Sequence, residues 1–522
     1  MSRSCETRAS HQDRAGRRAS SVGGRALASL LLLGLVMASP ASALDGPELL
    51  ENADFSRWSE GQPERWTLSV GARSREGPES SVAPITTAGL RLSGTDGTGV
   101  WKLVSQAVAK PEPGLYRLVW EGRARDQALA KGQFQNSFVE LRMLDKSGAP
   151  RRDLRPIRHT DWRRGALRMS VPEGCQSLEC RAFMTVTGHL ELRRISLKRL
   201  RPEEAFEDFL REFDRLYSLF PFRGAGWDEA VKTHGPAVRA AGEKPEPFIK
   251  ALTPLLATLS DPHISIGRSG RRLSPTCLEK VVANLHGKTV FSRLKDQQRV
   301  GRRSLFGGIG PARIPYVHIG TLMLDHAEAG KIRAALLARA DAPVQIIDLR
   351  ANVGGSEALG LSFARLFGED KPILYARSRR RSAKARDAYV EGPPRRLPPA
   401  GAKRCRGRAL VLIGPATVSS AESLALMFKA LPRARLIGRP TRGASGNPQP
   451  LALANGVTVS FSRWVNLTPD GTPIETRGVQ PDRDVAHEVD SDTAFLAALE
   501  EAKAIIAKAP AQPAGPPAPE GK

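Results

Sequence analysis

The sequence predicts a multidomain protein: an N-terminal antiparallel β-sandwich of jelly-roll type, then a helical segment, then an α/β domain. Three observations predict it. Between residues 44 and 200, short alternating segments such as Gly114–Trp120 and His189–Ile195 are separated by Gly, Pro and Asp turns, as expected of half-buried antiparallel strands. From about residue 203, Phe206, Phe209, Leu210, Phe213, Leu216 and Tyr217 fall at helical spacing, opening a helical segment placed at 201–265. In the region placed at 266–490, continuous apolar runs at Pro343–Leu349 and Ala409–Ile413 read as strands covered on both faces, each followed by a turn and a helical stretch. At 522 residues the chain is too long for one core, so two or three domains are expected.

The first 43 residues read as a secretory signal peptide. Arginines precede an Ala/Leu run from Ala26 to Met37, and Ala41-Ser42-Ala43 is a small-residue cleavage site. The run is too short to span a bilayer comfortably, and no cysteine follows it to take a lipid. No later segment is apolar enough to cross a membrane. The mature chain is therefore expected to be exported, periplasmic or extracellular, with no transmembrane anchor.

Cleavage removes Cys5 and leaves Cys175, Cys180, Cys277 and Cys405 in an oxidising compartment, which suggests disulfides. A Cys175–Cys180 clip enclosing four residues is expected, with Cys277 and Cys405 as the remaining pair. There is no Cys-x-x-Cys and no His-x-x-x-His, so neither a metal nor a cofactor is expected. The net charge is +25; the leader's six arginines against Glu6 and Asp13 account for +4 of it, leaving +21. Arginines crowd Arg377 to Arg386 and Arg395-Arg396 in a Pro- and Gly-rich connector, read as a solvated basic loop that attracts acidic substrates or envelope components. Few aromatic residues interleave them, which argues against nucleic acid.

The most informative stretch is Ser419-Ser420-Ala421-Glu422. Ser419 stands where an apolar strand turns into a helix, a position that exposes its hydroxyl beside free backbone N–H groups. The same Ser-x-x-Glu spacing is also a capping box, in which the serine would only satisfy the helix start. Upstream, the strand at Pro343–Leu349 runs into Asn352-Val353-Gly354-Gly355, adjacent glycines able to present successive N–H groups to an anion.

Asp348-Leu349-Arg350-x-Asn352-x-Gly354-Gly355, the Ser-Ser-Ala-Glu turn, Gly438-x-Pro440-Thr441-x-Gly443 and Gly478-Val479-Gln480-Pro481-Asp482 occur in an order that resembles peptidase family S41. The resemblance covers roughly 203–490. It implies a ClpP/crotonase-type core, a peptide or protein substrate, and Ser419 as the nucleophile of a serine endopeptidase. One branch of the family activates its serine with a lysine in the Gly-x-Pro-Thr-x-Gly-Lys segment, but here that position is Ala444, and Lys429 sits mid-helix. Leu259-Ser260-Asp261-Pro262-His263 resembles the tricorn-like segment whose histidine is the general base, which implies that role for His263. Pro262 departs from the pattern, since tricorn has a serine beside its histidine. The resemblance also implies that Glu475 orients the imidazole; Asp261 is the alternative, its side chain expected to point away from the ring. Backbone N–H groups of Gly354, Gly355 and Ser420 are expected to hold the oxyanion.

From Ile266 to Tyr316 there are too few residues for the PDZ domain that tail-specific proteases carry before their core. Asn52-x-Asp54-Phe55 and the Glu191-Leu192-x-x-Ile195 strand resemble galactose-binding-like jelly rolls, so a carbohydrate or envelope ligand is one expectation, although core packing is the favoured use of the aromatic rings. The rival functional reading is a non-catalytic S41-like binding module for a hydrophobic ligand or peptide. Thioester or acyl-transfer chemistry on the crotonase architecture would need a CoA surface that the sequence does not display. The Pro/Ala-rich tail at 507–522 is expected to be disordered.

Overall fold

Alternating burial builds the N-terminal half. In a computed structural model of the protein, described over residues 46–509 apart from 61, 72–81, 86–88, 95–100, 128–136, 186, 269–270, 274–280, 383–384 and 489–490, two five-stranded antiparallel sheets share one core. Strand Gly114–Arg125 turns Tyr116, Leu118, Trp120 and Ala124 inward, against Val139 and Leu141 of Ser137–Leu144 and Leu178, Cys180 and Ala182 of Ser177–Met184. The signal-peptide reading, Cys277 and the tail beyond 509 lie outside the described residues; Thr493–Lys508 is a helix that enters the stretch expected to be tail.

The expected Cys175–Cys180 clip is not formed. Both are buried free thiols: Cys180 points into the sandwich core from its strand, whereas Cys175 donates to the Leu144 carbonyl at 3.2 Å. Trp66, Trp120 and Tyr116 are core residues, and guanidinium groups of Arg123 and Arg193 stand 4.5 and 4.1 Å from the centre of the Trp162 ring. These rings are occupied by protein rather than presented to a sugar.

Helices Ala205–Leu216, Trp227–Ala241 and Pro245–Ala257 pack through an aromatic cluster. The Phe213 ring lies 4.6 Å from Tyr217, 4.9 Å from Trp227 and 4.7 Å from Phe461. Phe461 belongs to a four-stranded sheet ordered Arg271–Leu273, Ser265–Arg268, Thr458–Ser462, Pro448–Ala452, whose last two strands pair across Asn455-Gly456. Arg168 of the sandwich grips Asp208 on the first of these helices at 2.5 and 2.8 Å.

The second large sheet has seven strands. Leu294–Val300, Ser304–Ile309 and Ile314–His318 run antiparallel, and Val344–Asp348, Arg408–Ile413, Ala434–Gly438 and Arg483–Asp484 continue it in parallel. Side chains alternate between two cores: Val317, Ile347, Val411 and Leu436 meet helices His326–Leu337, Glu357–Ala364 and Ser420–Lys429, while Tyr316, Ile346, Leu410 and Ile437 meet Thr493–Lys508. Burial on both faces explains the uninterrupted apolar runs. The arginine-rich connector is not a solvated loop. Ile373–Arg381 is a strand, Arg381 and Arg386 pair with Asp214, and Arg386 also reaches Asp228, so these cations fasten the connector to the helices. Among the described residues, no helix is long and apolar enough to cross a membrane.

A buried charge network closes the end of strand Val344–Asp348. Arg350, fully buried, pairs with Asp348 at 2.6 Å and with Asp492, and donates to the Asn284 carbonyl at 2.7 Å; the Tyr316 hydroxyl donates to Asp348 at 2.7 Å. Burial pushes the Asp348 carboxyl up, but the charge and hydrogen bonds of Arg350 prevail and hold it at about 2. Its proton affinity is thus lower folded than unfolded, so it stabilises the fold above about pH 4, and that stability is lost as pH falls from about 4 to 2. Urea unfolding across this window should show a loss of about 2 kcal/mol attributable to Asp348. Arg350→Met should cost about 3–5 kcal/mol at pH 7, because Asp348 and Asp492 are left buried without their cation.

Candidate active site

Three neighbouring parallel strands, Val344–Asp348, Arg408–Ile413 and Ala434–Gly438, release their chain at the same edge, and the turns that follow them converge. Crevices at the carboxyl ends of parallel strands are where such sheets place their sites. The turn after the second strand ends at Ser419, which precedes helix Ser420–Lys429 with φ 63° and ψ −130°, a conformation costly for a residue with a side chain. Ser419 and Glu422 stand in a capping-box arrangement, but the Glu422 N–H closes on the Ser419 carbonyl at 2.9 Å rather than making a capping hydrogen bond to the serine hydroxyl. The strain leaves the hydroxyl uncommitted.

Glu422 holds this turn. Fully buried, it accepts the N–H of Ser419 (3.2 Å), the Thr441 hydroxyl (2.7 Å), and the N–H groups of Gly443 (2.7 Å) and Ala444 (2.9 Å). Burial raises its pKa, against the pull of those four donors. The Ala444 carbonyl in turn accepts the Ser419 N–H at 2.9 Å, and Ser445 Oγ lies 3.5 Å from the Ser419 carbonyl oxygen.

The Gly-Gly turn lies directly against the serine. Gly354 has φ 85°, and a Cβ there would stand 2.8 Å from Ser419 Cβ; Gly355 has φ 135°, and its Cβ would strike the Leu322 backbone at 2.3 Å. Only glycine fits either position. The expected set of oxyanion donors needs one correction, because the Gly354 N–H is already given to Asn352 Oδ1 at 2.9 Å. Among the described residues, the N–H groups of Gly355 and Ser420 have no acceptor, and Ser420 Oγ ties the two turns together by donating to the Gly355 carbonyl at 2.7 Å.

His263 follows a tight turn at Ser260 (φ 48°) after helix Pro245–Ala257 and is 9% exposed. Its turn is linked to the serine's surroundings through Arg223, which donates to the Ser260 carbonyl at 2.6 Å and to the Gly443 carbonyl at 3.4 Å. Glu475 does not contact the imidazole: its carboxylate is bound to Arg223 at 2.6 Å. Burial pushes Glu475 up to about 7 in spite of Arg223. The carboxylate facing the ring is Asp261, with Oδ1 3.7 Å from His263 Nδ1; it bends back toward the ring instead of pointing away. Sequence reading also missed Arg223, Ser445 and Ser462, which carry no motif of their own. Lys429 is bound to Asp482 at 2.8 Å, and Ala444 is fully buried. An apolar cavity between Ile309–Ile314 and Leu499–Ala507 contains none of these groups and opens beside the start, not the end, of strand Ile314–His318.

A largely parallel sheet covered on both faces, with a strained serine at a strand-to-helix turn on its carboxyl edge, is an α/β architecture with a candidate site at that edge. Residues 313–485 match the family model Peptidase family S41, and this part of the chain is an S41 domain. A candidate peptidase from Parabacteroides merdae ATCC 43184 shares the fold, with a TM-score of 0.50 and 22% identity over 58% of this chain and 96% of that one. A lipoprotein from Streptococcus agalactiae (TM-score 0.40, 13% identity, 58% and 96% covered) and a photosystem II D1 C-terminal processing protease (0.37, 18%, 55% and 94%) align more loosely. No curated protein matches the chain.

Two substitutions test the site's construction. Glu422→Gln turns an amide NH2 toward donors only, and should cost about 2–3 kcal/mol in urea unfolding. Ser419→Gly should be more stable than Ser419→Ala by about 1 kcal/mol, because glycine relieves the strained φ and alanine does not; equal stabilities would show that the turn is unstrained.

Proposed function

We propose that the protein is an exported serine endopeptidase in which Ser419 is the nucleophile and His263 the general base. The observation that carries this reading is the strained Ser419, its hydroxyl uncommitted and packed on Gly354 beside the unpaired N–H groups of Gly355 and Ser420. In the proposed reaction Ser419 Oγ bonds to the scissile carbonyl carbon as its proton passes to His263 Nε2. The oxyanion is held by Gly355 and Ser420 N–H, with Gly354 N–H left to Asn352. The C–N bond then breaks as Nε2 protonates the leaving amine, and water hydrolyses the acyl-serine through the same base. Glu475 with Arg223 supports the turn that carries His263. Exposed Val353, immediately before the Gly-Gly turn, and Met323, next to Leu322 whose backbone pairs with Gly355, suit an apolar side chain of the substrate. The leader read in residues 1–43 supports export.

The test is incubation of the chain with an unfolded protein, beside Ser419→Ala and His263→Ala, with fragments read by mass spectrometry. Wild type should cleave, and each variant should be slower by at least about 10⁴-fold while keeping its fold. Three folded but equally inert proteins would favour the binding-module reading instead.

A further inference from the structure

We infer that Asp261, fixed by Ser462, is the positioning residue that orients the His263 imidazole and stabilises its protonated form. This rests on the Ser419–His263 reading and gives the third role to a residue two positions from the base, within the same turn.

The geometry runs through both carboxylate oxygens. Asp261 Oδ1 accepts the backbone N–H of His263 at 2.9 Å, so the side chain is folded back over its own turn. The same oxygen lies 3.7 Å from His263 Nδ1, a ring nitrogen that is buried and has no hydrogen-bond partner. A small rotation of the ring brings Nδ1–H onto Oδ1. Asp261 Oδ2 accepts the Ser462 hydroxyl at 2.8 Å, which prevents the carboxylate from swinging away. Ser462 ends strand Thr458–Ser462 and presses on Gly446, where a Cβ would stand 2.0 Å from Ser462 Oγ; Gly446 follows Ser445, beside the Ser419 carbonyl. One chain of contacts thus connects the carboxylate to the nucleophile's turn.

Asp261 is fully buried. Burial raises its proton affinity, but the bonds and charge of His263, with Arg223 behind them, keep it below the ordinary carboxylate range. The other charged and titratable groups of this cluster are Arg223, which adds positive potential, and Glu475 and Tyr217, whose own pKa values are raised by burial. With Nδ1–H turned to Asp261, Nε2 is the free lone pair that takes the Ser419 proton and later returns it to the amine. Asp261 stays ionised throughout, as the equivalent carboxylate of a Ser–His–Asp triad does.

The test compares Asp261→Asn, Ser462→Ala and Glu475→Gln with wild type by kcat, KM and the acid limb of kcat/KM. The His263 titration is followed by NMR of histidine-labelled protein in the Ser419→Ala background. Asp261→Asn should lower kcat by about 10²–10⁴-fold with little change in KM. It should also move the acid limb and the His263 titration to lower pH, because a neighbouring anion that favoured the imidazolium is gone. Ser462→Ala should shift both in the same direction by less. Glu475→Gln should move the limb less than Asp261→Asn does, since Glu475 reaches the His263 turn only through Arg223. An acid limb that moves with Glu475→Gln and not with Asp261→Asn would overturn the proposal. If Asp261→Asn fails to fold, the His263 titration in Ser419→Ala with and without Ser462→Ala decides it, an unshifted titration counting against. Undiminished cleavage by Ser419→Ala or His263→Ala would instead overturn the underlying reading.

Discussion

The site depends on one buried carboxylate. Glu422 receives four donors from two segments, the start of helix Ser420–Lys429 and the loop from Thr441 to Ala444, which also meet directly where the Ser419 N–H donates to the Ala444 carbonyl. A buried acid is costly unless its oxygens are satisfied, and here two of its donors, the Gly443 and Ala444 N–H groups, would be orphaned without it. The penalty is therefore mutual, and it locks the loop to the serine's turn. Cap and nucleophile, which look like competing readings of Ser-x-x-Glu, turn out to be complementary. Glu422 provides the capping half by accepting the Ser419 N–H, which leaves the hydroxyl free for the role proposed for it.

The same clamp explains why no lysine acts from this loop. Ala444 gives its N–H to Glu422, lends its carbonyl to Ser419, and is wholly buried. A lysine chain extended from that position would have to find room inside a packed turn already fixed on both sides. In the proposed mechanism the base comes from another element, His263, in the turn after Pro245–Ala257. The Thr458–Ser462 strand does the joining, since it pairs with Ser265–Arg268 just past His263 and ends in Ser462 against Gly446.

The legible part of this architecture was the part set by local pattern. Both parallel strands flanking the site, the helix opened by Ser419, the Asn455-Gly456 hairpin and the aromatic helical stretch follow from apolar periodicity and turn chemistry. What could not be read was how hydrogen-bond and charge partners, near and far, are shared out. Gly354 looks as available as Gly355 until Asn352, two residues earlier, takes its N–H. Glu475 looks like a free carboxylate until Arg223, 252 residues away, claims it. The arginines after Tyr375 look solvated because nothing local shows that Asp214 and Asp228 lie opposite them. Pairing across such separations is decided by packing, which periodicity does not encode.

These pairings divide the machinery into two rigid bodies with one adjustable seam. The proposed nucleophile and oxyanion donors sit on turns whose strands are neighbours in one sheet, so their mutual distances are set by strand spacing and by glycines that admit no side chain. The proposed base and its facing carboxylate lie two residues apart, so their relation depends on a few torsions of a single turn. Only the distance between the two bodies is set by tertiary packing, through Arg223 between Ser260 and Gly443 and through Ser462 against Gly446. Transition-state geometry tolerates errors of only a fraction of an ångström. Placing a buried, charge-assisted strut at that seam confines the error where the fold is otherwise least able to control it.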